Sequence, residues 1–575
     1  MILTREGPHT LHHRTLTSVV AATVAATLTL ALLGIRESSG DPPFAAAAET
    51  DSVTKPNIVV VMADDMRADD LRFMPSLRRL VTARGLKFRN SFSPYPLCCP
   101  SRASFLSGQY AHNHKVFAND APFGFGSFDD SRTVATALQD AGYRTGFVGK
   151  YLNNYGIDRS RVTGEHSWRY VPAGWTNWHA ALQRPRRLYD RYPDGGAYNY
   201  FHTIFNVNGR TDDSHKGEYQ TGVLGRFSRK LVTRYSRTNK PFFLYLSALA
   251  PHYGGPHEPD DVDSIRRRDG RVSEFETPAR PEWVKGRFDH QVRRSPGLPA
   301  NGGPSEANVS DKPRAFRKPE LNRRERRLAT ALTRQRAESI AVLDAQVRRL
   351  VQTLRERGEL DETVFVFTSD NGYFLGEHRF RNGKRKAYEP SIRVPLVIAG
   401  PGIPHGVRND PAKTPDLTAT ILDLADAKAP RPADGRSLVP SFAADRGWTA
   451  PVVTEAIIGG PAYLPTTSKH QRGFTDVRTT IGIRTARYKL IRDASGTVEL
   501  YDLDVDPNEL NSVATDPEYR AIRSELTRLW HRYKDCAGTA CSVPLPASLA
   551  TSPAQTTAST KTQSEGVLAR YGHVF

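Results

Sequence analysis

The chain has 575 residues, of which 38% are hydrophobic and 25% charged, with a formal net charge of +19 and four cysteines. The apolar content supports a large core and excludes wholesale disorder, and four cysteines exclude a disulfide-dense scaffold. A mean hydropathy of -0.51 excludes a polytopic membrane protein. The basic balance favours an anionic partner, although an arginine-rich surface without a specific partner fits the charge equally well.

The N-terminal residues have the composition of an export signal. Arg5 and Arg14 precede an uncharged run from Leu16 to Ile35, and a series of alanines suited to cleavage follows at 45–48. This order is typical of a secretory signal peptide, which we assign to residues 1–50. The run is also long enough to cross a bilayer as an uncleaved anchor. We favour cleavage, and therefore expect a secreted or cell-surface protein with no stable membrane insertion afterwards.

Apolar strand patterns alternate with helical patterns in the next part of the chain. Each strand pattern leads into polar or charged residues, as occurs where parallel strands form a site at the carboxyl edge of a sheet. The alternation predicts an α/β fold with a large, mostly parallel sheet flanked by helices. The patterns comprise strands at Pro56–Ala63, Thr145–Gly149, Pro241–Ser247 and Thr363–Ser369, and helices at Ser131–Ala141 and Ala337–Arg357.

Three segments differ in composition from this alternating region, which we place at residues 55–435. Residues 256–327 are rich in Arg, Pro and Gly, which predicts a solvated surface insertion or, alternatively, a polyanion-binding rim. Residues 436–545 contain short antiparallel strand patterns and then a helical pattern, so we assign them to a small C-terminal α+β subdomain. Residues 546–575 are rich in Thr, Ser, Ala and Gln, which predicts a disordered tail.

The most informative motif is Leu97-Cys98-Cys99-Pro100-Ser101-Arg102-Ala103-Ser104. Adjacent cysteines do not easily form a disulfide with each other, because the bond requires a wider Cα separation. Unpaired cysteines are also unusual in an exported protein. One explanation is that a cysteine in this motif is consumed by a modification.

The motif resembles the signature of the type I sulfatases, in which the first cysteine is oxidised to formylglycine by a dedicated enzyme. Further motifs follow the family's order at Asp64-Asp65, 149–153, 250–252, 368–373 and 384–396, and the resemblance covers about Pro56 to Asp535. It implies an alkaline-phosphatase-like fold with a smaller C-terminal antiparallel sheet and helix. It also implies hydrolysis of sulfuric esters and maturation of the chain by the formylglycine-generating enzyme.

The resemblance implies a role for each matching position. One hydroxyl of the hydrated aldehyde at Cys98 would attack sulfur, and the second would lose its proton as the aldehyde reforms. Arg102 and Lys150 would hold the hydrate, and Lys384 would bind the sulfate oxygens. His252 would protonate the departing oxygen, since histidine titrates nearest neutral pH. One Ca²⁺ ion would stabilise charge around sulfur, held by oxygen ligands at Asp64, Asp65, Cys98 as formylglycine, Asp370 and Asn371.

Within this family, the sequence Gly-Lys-Tyr-Leu-Asn at 149–153 resembles the N-acetylglucosamine-6-sulfatase branch. Many arylsulfatases have histidine two residues after the lysine, where this chain has Leu152. The histidines of His112-Asn113-His114 also agree with that branch, so His112 or His114 is a candidate substrate contact, with a loop histidine as the alternative. The implied substrate is a sulfated carbohydrate such as 6-O-sulfated N-acetylglucosamine, although a small sulfate ester also fits.

Cys536 and Cys541 lie close together in sequence, which in an exported chain predicts a small-loop disulfide rather than a zinc site lacking two ligands.

A phosphonate or phosphate ester hydrolase of the same superfamily is the first alternative function, and a non-catalytic glycan-binding relative is the second. Nucleic-acid binding is suggested only by the net charge, with no aromatic and basic platform to support it.

Overall fold

The computed structural model describes residues 55–183, 194–266, 272–457 and 477–574. The predicted leader, residues 1–50, lies outside these ranges. Among the described helices, none combines the length and the apolar character required to span a bilayer.

The strands of the described residues belong to a large sheet, a small sheet and a two-stranded ribbon. They are β1 (Asn57–Ala63), β2 (Gly85–Phe92), β3 (Arg144–Lys150), β4 (Asn177–Ala181), β5 (Phe205–Val207), β6 (Arg210–Asp212), β7 (Phe242–Ser247), β8 (Ile265–Arg266), β9 (Val272–Ser273), β10 (Thr363–Ser369), β11 (Leu396–Ala399), β12 (Gly406–Lys413), β13 (Val452–Ala456), β14 (Thr480–Arg484), β15 (Tyr488–Asp493) and β16 (Val498–Asp502).

The α-helices lie mostly between the strands of the large sheet. They are α1 (Pro75–Leu80), α2 (Cys98–Ser107), α3 (Ala111–His114), α4 (Val134–Asp140), α5 (Gln220–Tyr235), α6 (Arg323–Glu356), α7 (Glu389–Ile392), α8 (Thr414–Leu424), α9 (Pro440–Ala443), α10 (Arg520–Tyr533) and α11 (Pro553–Tyr571).

The large sheet places the four predicted strands side by side. Across the described ranges it has ten strands in the order β12-β2-β11-β10-β1-β7-β3-β4-β5-β6. β1 is parallel to both β10 and β7, and β7 is parallel to β3, so the carboxyl ends of these strands meet at one edge. β11 is antiparallel to its neighbours β10 and β2, so the sheet is mixed. The predicted α/β fold is confirmed.

Two apolar clusters pack on the two faces of this sheet, which explains the continuous apolar runs of its central strands. Every residue of β1 is buried, with Val60 in one cluster and Val61 in the other. The long helix α6 covers the second face and is amphipathic. It begins at Arg323, earlier than its apolar pattern indicates, because the Asn322 side chain accepts a hydrogen bond from the backbone of Glu325 and caps the helix.

The small sheet has the antiparallel order β13-β14-β15-β16 within the described residues. The sequence predicts its last three strands and the helix α10 that packs on them, but not β13. Trp530 of α10 is fully buried against this sheet and donates to the carbonyl of Ile481 at 3.1 Å. Cys536 and Cys541 form a disulfide just after α10. The boundary between the alternating region and residues 436–545 stays a prediction.

The predicted disordered tail is wrong for most of its length. Residues 553–571 form α11, whose N-terminus is capped by Ser552. The buried face of this helix is polar, and Gln563 donates to the carbonyl of Ala486 at 2.8 Å while Thr560 accepts from Asn90 at 2.9 Å. The helix therefore docks through hydrogen bonds rather than through an apolar stripe, and composition alone does not reveal it.

The arginine-rich insertion is only partly the solvated loop that the sequence predicts. Much of it is irregular, but Lys312 is buried and its ammonium lies 3.2 Å from a carboxylate oxygen of Glu306. The same ammonium donates to the hydroxyl of Tyr501 at 2.6 Å. The insertion is thus fixed against β16 by a buried cation.

Candidate active site

The carboxyl edge of the large sheet gathers the predicted catalytic and metal-binding side chains. Asp64 and Asp65 follow β1, Asp370 and Asn371 follow β10, and Lys150 ends β3. Their convergence follows from the parallel pairing of these strands.

The other predicted catalytic residues also reach this edge. His252 follows β7, Cys98 is the first residue of α2, and Lys384 lies in the loop after β10. Gly149 precedes the site lysine with φ +116°, and a Cβ there would lie 1.9 Å from the carbonyl oxygen of Ser247. Only glycine permits this close approach of β3 to β7.

Cys98 is fully buried at the centre of the group. Its Sγ lies 3.2 Å from Asp64 Oδ1 and 2.8 Å from Lys384 Nζ. Burial, together with the neighbouring Asp64 carboxylate, raises the pKa of the Cys98 thiol. An unmodified thiol in this environment is a poor nucleophile, since the thiolate is the reactive form. Arg102 lies one turn further along α2 and faces the same site.

Three carboxylates and three cations form a closed network around the cysteine. Lys150 and Lys384 form ion pairs with Asp64 and Asp65, respectively. Arg102 bridges two carboxylates, with Nη2 at 3.1 Å from Asp64 Oδ2 and Nε at 2.9 Å from an oxygen of Asp370.

The cations determine the charge states of these buried acids. Burial alone would raise the pKa of Asp64, but the ammonium of Lys150 and the other nearby cations hold it well below its usual range. Burial raises the pKa of Asp370 to about 6, with a further contribution from Asp64.

The donor set fits a hard divalent cation. Asp65 Oδ2 and Asn371 Oδ1 are buried and have no hydrogen-bond partner among the described residues. The amide nitrogen of Asn371 donates to Asp65 Oδ1 at 2.7 Å and to the carbonyl of Gly372 at 2.8 Å, which fixes the orientation of its oxygen. Carboxylate and amide oxygens are the ligands that Ca²⁺ and Mg²⁺ prefer. These two oxygens, with those of Asp64 and Asp370, therefore supply a suitable ligand set.

His252 presents one nitrogen to the site. Its Nδ1 lies 2.8 Å from the carbonyl oxygen of Tyr253, which assigns the proton to Nδ1, and its Nε2 lies 3.7 Å from Asp65 Oδ2. The ring packs between two tyrosines, with centroids 5.2 Å from Tyr198 and 4.2 Å from Tyr253. Burial lowers the pKa of His252 to about 4, against the opposite effect of the aspartates.

Sequence reasoning missed Arg336, which supports the turn at Asp64 and Asp65 from α6. Its guanidinium donates to the backbone carbonyl oxygens of Asp65 and Pro251, and lies 4.3 Å from the ring centre of Tyr373. The position of Arg336 within the helical pattern could have identified it. Leu332, Arg336 and Ile340 recur every four residues, so a buried arginine lies on the apolar face of an amphipathic helix.

The two histidines proposed as substrate contacts are bound within the protein instead. His112 Nδ1 lies 2.5 Å from Glu455 Oε1, and its Nε2 lies 2.6 Å from the carbonyl oxygen of Cys536. His114 Nε2 lies 2.9 Å from Ser104 Oγ, and its Nδ1 accepts the backbone N–H of Val116 at 3.1 Å. Both ring nitrogens of each residue are therefore occupied, and this geometry does not support substrate binding by either one.

A family model described as Sulfatase matches residues 56–427. The chain belongs to the sulfatase family. A second model, described as N-sulphoglucosamine sulphohydrolase, C-terminal, matches residues 376–535. The protein is thus a sulfuric ester hydrolase, as the sequence predicts.

Curated relatives include enzymes that act on sulfated sugars. The chain is 28% identical over 526 residues to N-acetylglucosamine-6-sulfatase of Capra hircus, covering 85% of each protein. It is 31% identical over 398 residues to the Extracellular sulfatase SULF-1 homolog of Drosophila melanogaster. That alignment covers 67% of this chain but only 31% of the fly protein. The alignment with N-acetylglucosamine-6-sulfatase extends over most of this chain, which confirms the resemblance to that branch.

Solved structures share the fold at lower sequence identity. A protein solved in complex with its substrate D-glucosamine-2-N,6-O-disulfate aligns with a TM-score of 0.58 and 21% identity, covering 83% of this chain and 97% of that one. A phosphonate monoester hydrolase from Silicibacter pomeroyi aligns with a TM-score of 0.57 and 23% identity, covering 86% and 99%. These likenesses agree with the alkaline-phosphatase-like fold.

Proposed function

We propose that this sulfatase removes sulfate from a sulfated sugar, with 6-O-sulfated N-acetylglucosamine as the first candidate substrate. The observation that carries the proposal is the position of Cys98, buried between Asp64 and Lys384 at the carboxyl edge of the sheet. A residue there reaches both the anionic group of oxygen ligands and the cations that would bind a sulfate ester.

Two groups would complete the site, formylglycine derived from Cys98 and one divalent cation, proposed as Ca²⁺. Formylglycine would supply the nucleophilic oxygen, and the cation would supply positive charge beside the sulfate oxygens. The residues that would hold the cation are Asp64, Asp65, Asp370 and Asn371, together with the modified Cys98. The oxygens of Asp65 and Asn371 that have no hydrogen-bond partner support this assignment.

The protein's own side chains position and neutralise the reacting groups. Arg102 fixes Asp64 and Asp370 relative to each other, so the ligand oxygens are held before any cation binds. Lys384 would bind an anionic oxygen of a sulfate attached at Cys98, and the distance of 2.8 Å between its Nζ and Cys98 Sγ supports this role. Lys150 is held above the ring of Tyr198 at 4.9 Å and neutralises Asp64.

Release of the sugar requires a proton for the departing oxygen. His252 is the proposed donor in its imidazolium form, which would carry a second proton on Nε2 facing the site while Nδ1–H stays bonded to the carbonyl of Tyr253. The negative charge of a bound sulfate ester would favour that form. The adjacent tyrosine rings give this part of the site apolar faces, and Tyr253 is 37% exposed, which suits contact with a sugar ring.

The substrate, maturation partner and location are proposed together. The relatives that act on N-acetylglucosamine 6-sulfate align over most of this chain, which supports a 6-sulfated glucosamine unit. Maturation would require the formylglycine-generating enzyme. The leader-like residues 1–50 and the extracellular fly relative support a secreted or cell-surface location.

Mass spectrometry of the tryptic peptide Asn90–Arg102 tests the proposed nucleophile. We expect Cys98 of protein from the native exporting cell to have lost sulfur and to be an aldehyde or its hydrate, whereas Cys99 in the same peptide keeps its thiol and serves as the internal control. Activity should track the converted fraction and be absent from a Cys98→Ala variant. An active protein with an intact Cys98 thiol contradicts the mechanism.

Matched substrates separate sulfate from phosphorus chemistry. The likeness to a phosphonate monoester hydrolase makes this the second candidate function. We expect kcat/KM for N-acetylglucosamine 6-sulfate to exceed that for the 6-phosphate and for a phosphonate monoester. The reverse order favours the second candidate. Binding of the sulfated sugar without turnover by the converted protein indicates a non-catalytic relative.

A further inference from the structure

A basic cleft of about 920 Å³ lies on the helical layer that covers the second face of the large sheet. It is formed by α1, the start of α5, the segment 281–291 and the second half of α6. Its lining carries a single carboxylate, Asp344, which accepts hydrogen bonds from the backbone N–H groups of Ser76 and Leu77. The arginines of the lining are Arg72, Arg78, Arg79, Arg287, Arg348 and Arg349.

Most of these guanidinium groups are free to bind an anion. Arg72 pairs with Asp69, but no ion pair with a described residue is found for the other five arginines of the lining. The positive field extends further, because Arg229 donates to Gln346 in the lining and its pKa is lowered by burial and by repulsion from Arg349. A concentration of like charge on this scale attracts a polyanion.

Aromatic rings also line the cleft. Phe73 and Phe288 pack edge to face in its floor, with centroids 5.1 Å apart. The guanidinium carbon of Arg72 lies 4.6 Å from the Phe73 ring and that of Arg287 lies 5.8 Å from the Phe288 ring, which restricts both side chains. Trp283 is 60% exposed at the rim and offers an indole face.

The cleft and the active site share α6. Arg336 contacts the turn at Asp64 and Asp65, and residues 341–349 of the cleft lie further along the same helix. At 1.5 Å per residue, they are about 8 to 20 Å from Arg336 along the helix axis. The cleft is therefore separate from the catalytic group but within reach of a chain several sugar units long.

We infer that this cleft binds a sulfated glycan chain beyond the unit being cleaved. The inference rests on the proposed function, because it assumes that the sulfated sugar is part of a polymer. Arginine guanidinium groups bind sulfate oxygens through paired N–H donors, and an exposed indole packs on the apolar face of a sugar ring. Single-stranded nucleic acid would require a series of stacking rings. Among the described residues of the lining, one large aromatic side chain, Trp283, is exposed.

Direct binding measurements on the full chain test the cleft independently of catalysis. The probe is a size-defined heparin dodecasaccharide, titrated by calorimetry over a series of salt concentrations. All variants carry Cys98→Ala, so the result does not depend on cysteine conversion or turnover. The cleft variant is Arg348→Gln/Arg349→Gln. The matched control is Arg355→Gln/Arg357→Gln, which removes the same charge from two exposed residues at the C-terminal end of α6.

We expect the cleft variant to bind the dodecasaccharide about tenfold more weakly and the control less than twofold more weakly. The log–log dependence of affinity on salt should become shallower by roughly one to two for the cleft variant. Trp283→Ala should weaken binding about threefold without changing the salt dependence. Urea unfolding midpoints equal to that of the parent show that the variants are folded.

Three results overturn the inference. The first is unchanged affinity of the cleft variant. The second is an equal loss in the control, which indicates attraction by overall charge. The third is tighter, cleft-dependent binding of a single-stranded DNA dodecamer, which assigns the cleft to nucleic acid. None of these outcomes bears on whether Cys98 is converted, so failure of the cleft and failure of the proposed reaction are distinguishable.

Discussion

Replacement of His112 by alanine distinguishes its two proposed roles. The sequence makes His112 a candidate substrate contact, whereas the structure makes it a buried link between α3, Glu455 of β13 and the carbonyl of Cys536. If the structural role is correct, His112→Ala lowers the free energy of unfolding and leaves KM for N-acetylglucosamine 6-sulfate unchanged. If the sequence hypothesis is correct, KM rises and the unfolding free energy stays constant.

The size of the loss follows from the contacts removed. A hydrogen bond to a charged group contributes about 1.5–3 kcal/mol, and His112 makes one such bond, to Glu455, as well as a second bond to the Cys536 carbonyl. Glu455 keeps Arg478 as a buried partner, and the Cys536 carbonyl keeps the Asn113 side chain. The remaining contacts limit the damage, so we expect a loss of about 3 kcal/mol at pH 6.

The pH dependence gives the sharpest readout. Burial opposes protonation of His112, but Glu455 raises its pKa above the ordinary 6.5. The stabilisation is therefore complete below pH 6.5 and is lost as pH rises through the raised pKa. The matched control is His114→Ala, because burial lowers the pKa of His114 to about 3. Its contribution is present above pH 6.5 and is lost as pH falls, so the two variants should show opposite trends.

Urea unfolding followed by tryptophan fluorescence from pH 5 to 9, with KM measured on the same preparations, provides the data. A His112→Ala effect that grows as pH rises, or that parallels the His114→Ala effect, refutes the assignment of a charged buried link. A KM increase above about fivefold with unchanged stability restores the substrate role.

Three further predictions follow from the site and its supports. Asp65→Asn should abolish the rise in unfolding midpoint that millimolar Ca²⁺ produces in the parent protein, because it replaces a ligand oxygen, and an unchanged rise contradicts the ligand assignment. Arg336→Lys should lower kcat about tenfold with little change in KM, since an ammonium cannot hold two carbonyls as a guanidinium does, whereas the exposed Arg327→Lys should change neither. Cys536→Ser/Cys541→Ser should lower unfolding free energy by roughly 2 kcal/mol, measured by urea unfolding, given their sequence separation of 5.

The central strands and the catalytic group could be predicted because their signals are local. A continuous apolar run such as β1 indicates a strand buried on both faces, and the acids that follow it must lie at the carboxyl edge. The resemblance then related Cys98 to those acids. The sequence did not show that β1 lies between β10 and β7, although that pairing is what brings Asp65 close to Asn371.

The features that sequence reasoning did not reveal depend on partners that are distant in sequence. Arg336 contacts Asp65 across 271 residues, and His112 contacts Glu455 across 343. A histidine beside a family motif suggests a ligand, because nothing nearby in sequence shows that both its nitrogens are already bonded. Helix α11 was missed for a related reason, since its buried face is polar and its partners lie in other elements.

The charge balance of the active site distinguishes binding of a sulfate ester there from binding of a glycan in the arginine cleft. Three carboxylates face three cations, so these buried side chains neutralise one another and would attract an anionic ester only weakly. A divalent cation would give the group a net positive charge of two, which is complementary to a sulfate ester. Affinity of the active site for the sulfated sugar should therefore depend on divalent cation concentration, whereas heparin binding by the arginine cleft should persist in chelator. The charged side chains in this balance are Asp64, Asp65 and Asp370 against Arg102, Lys150 and Lys384.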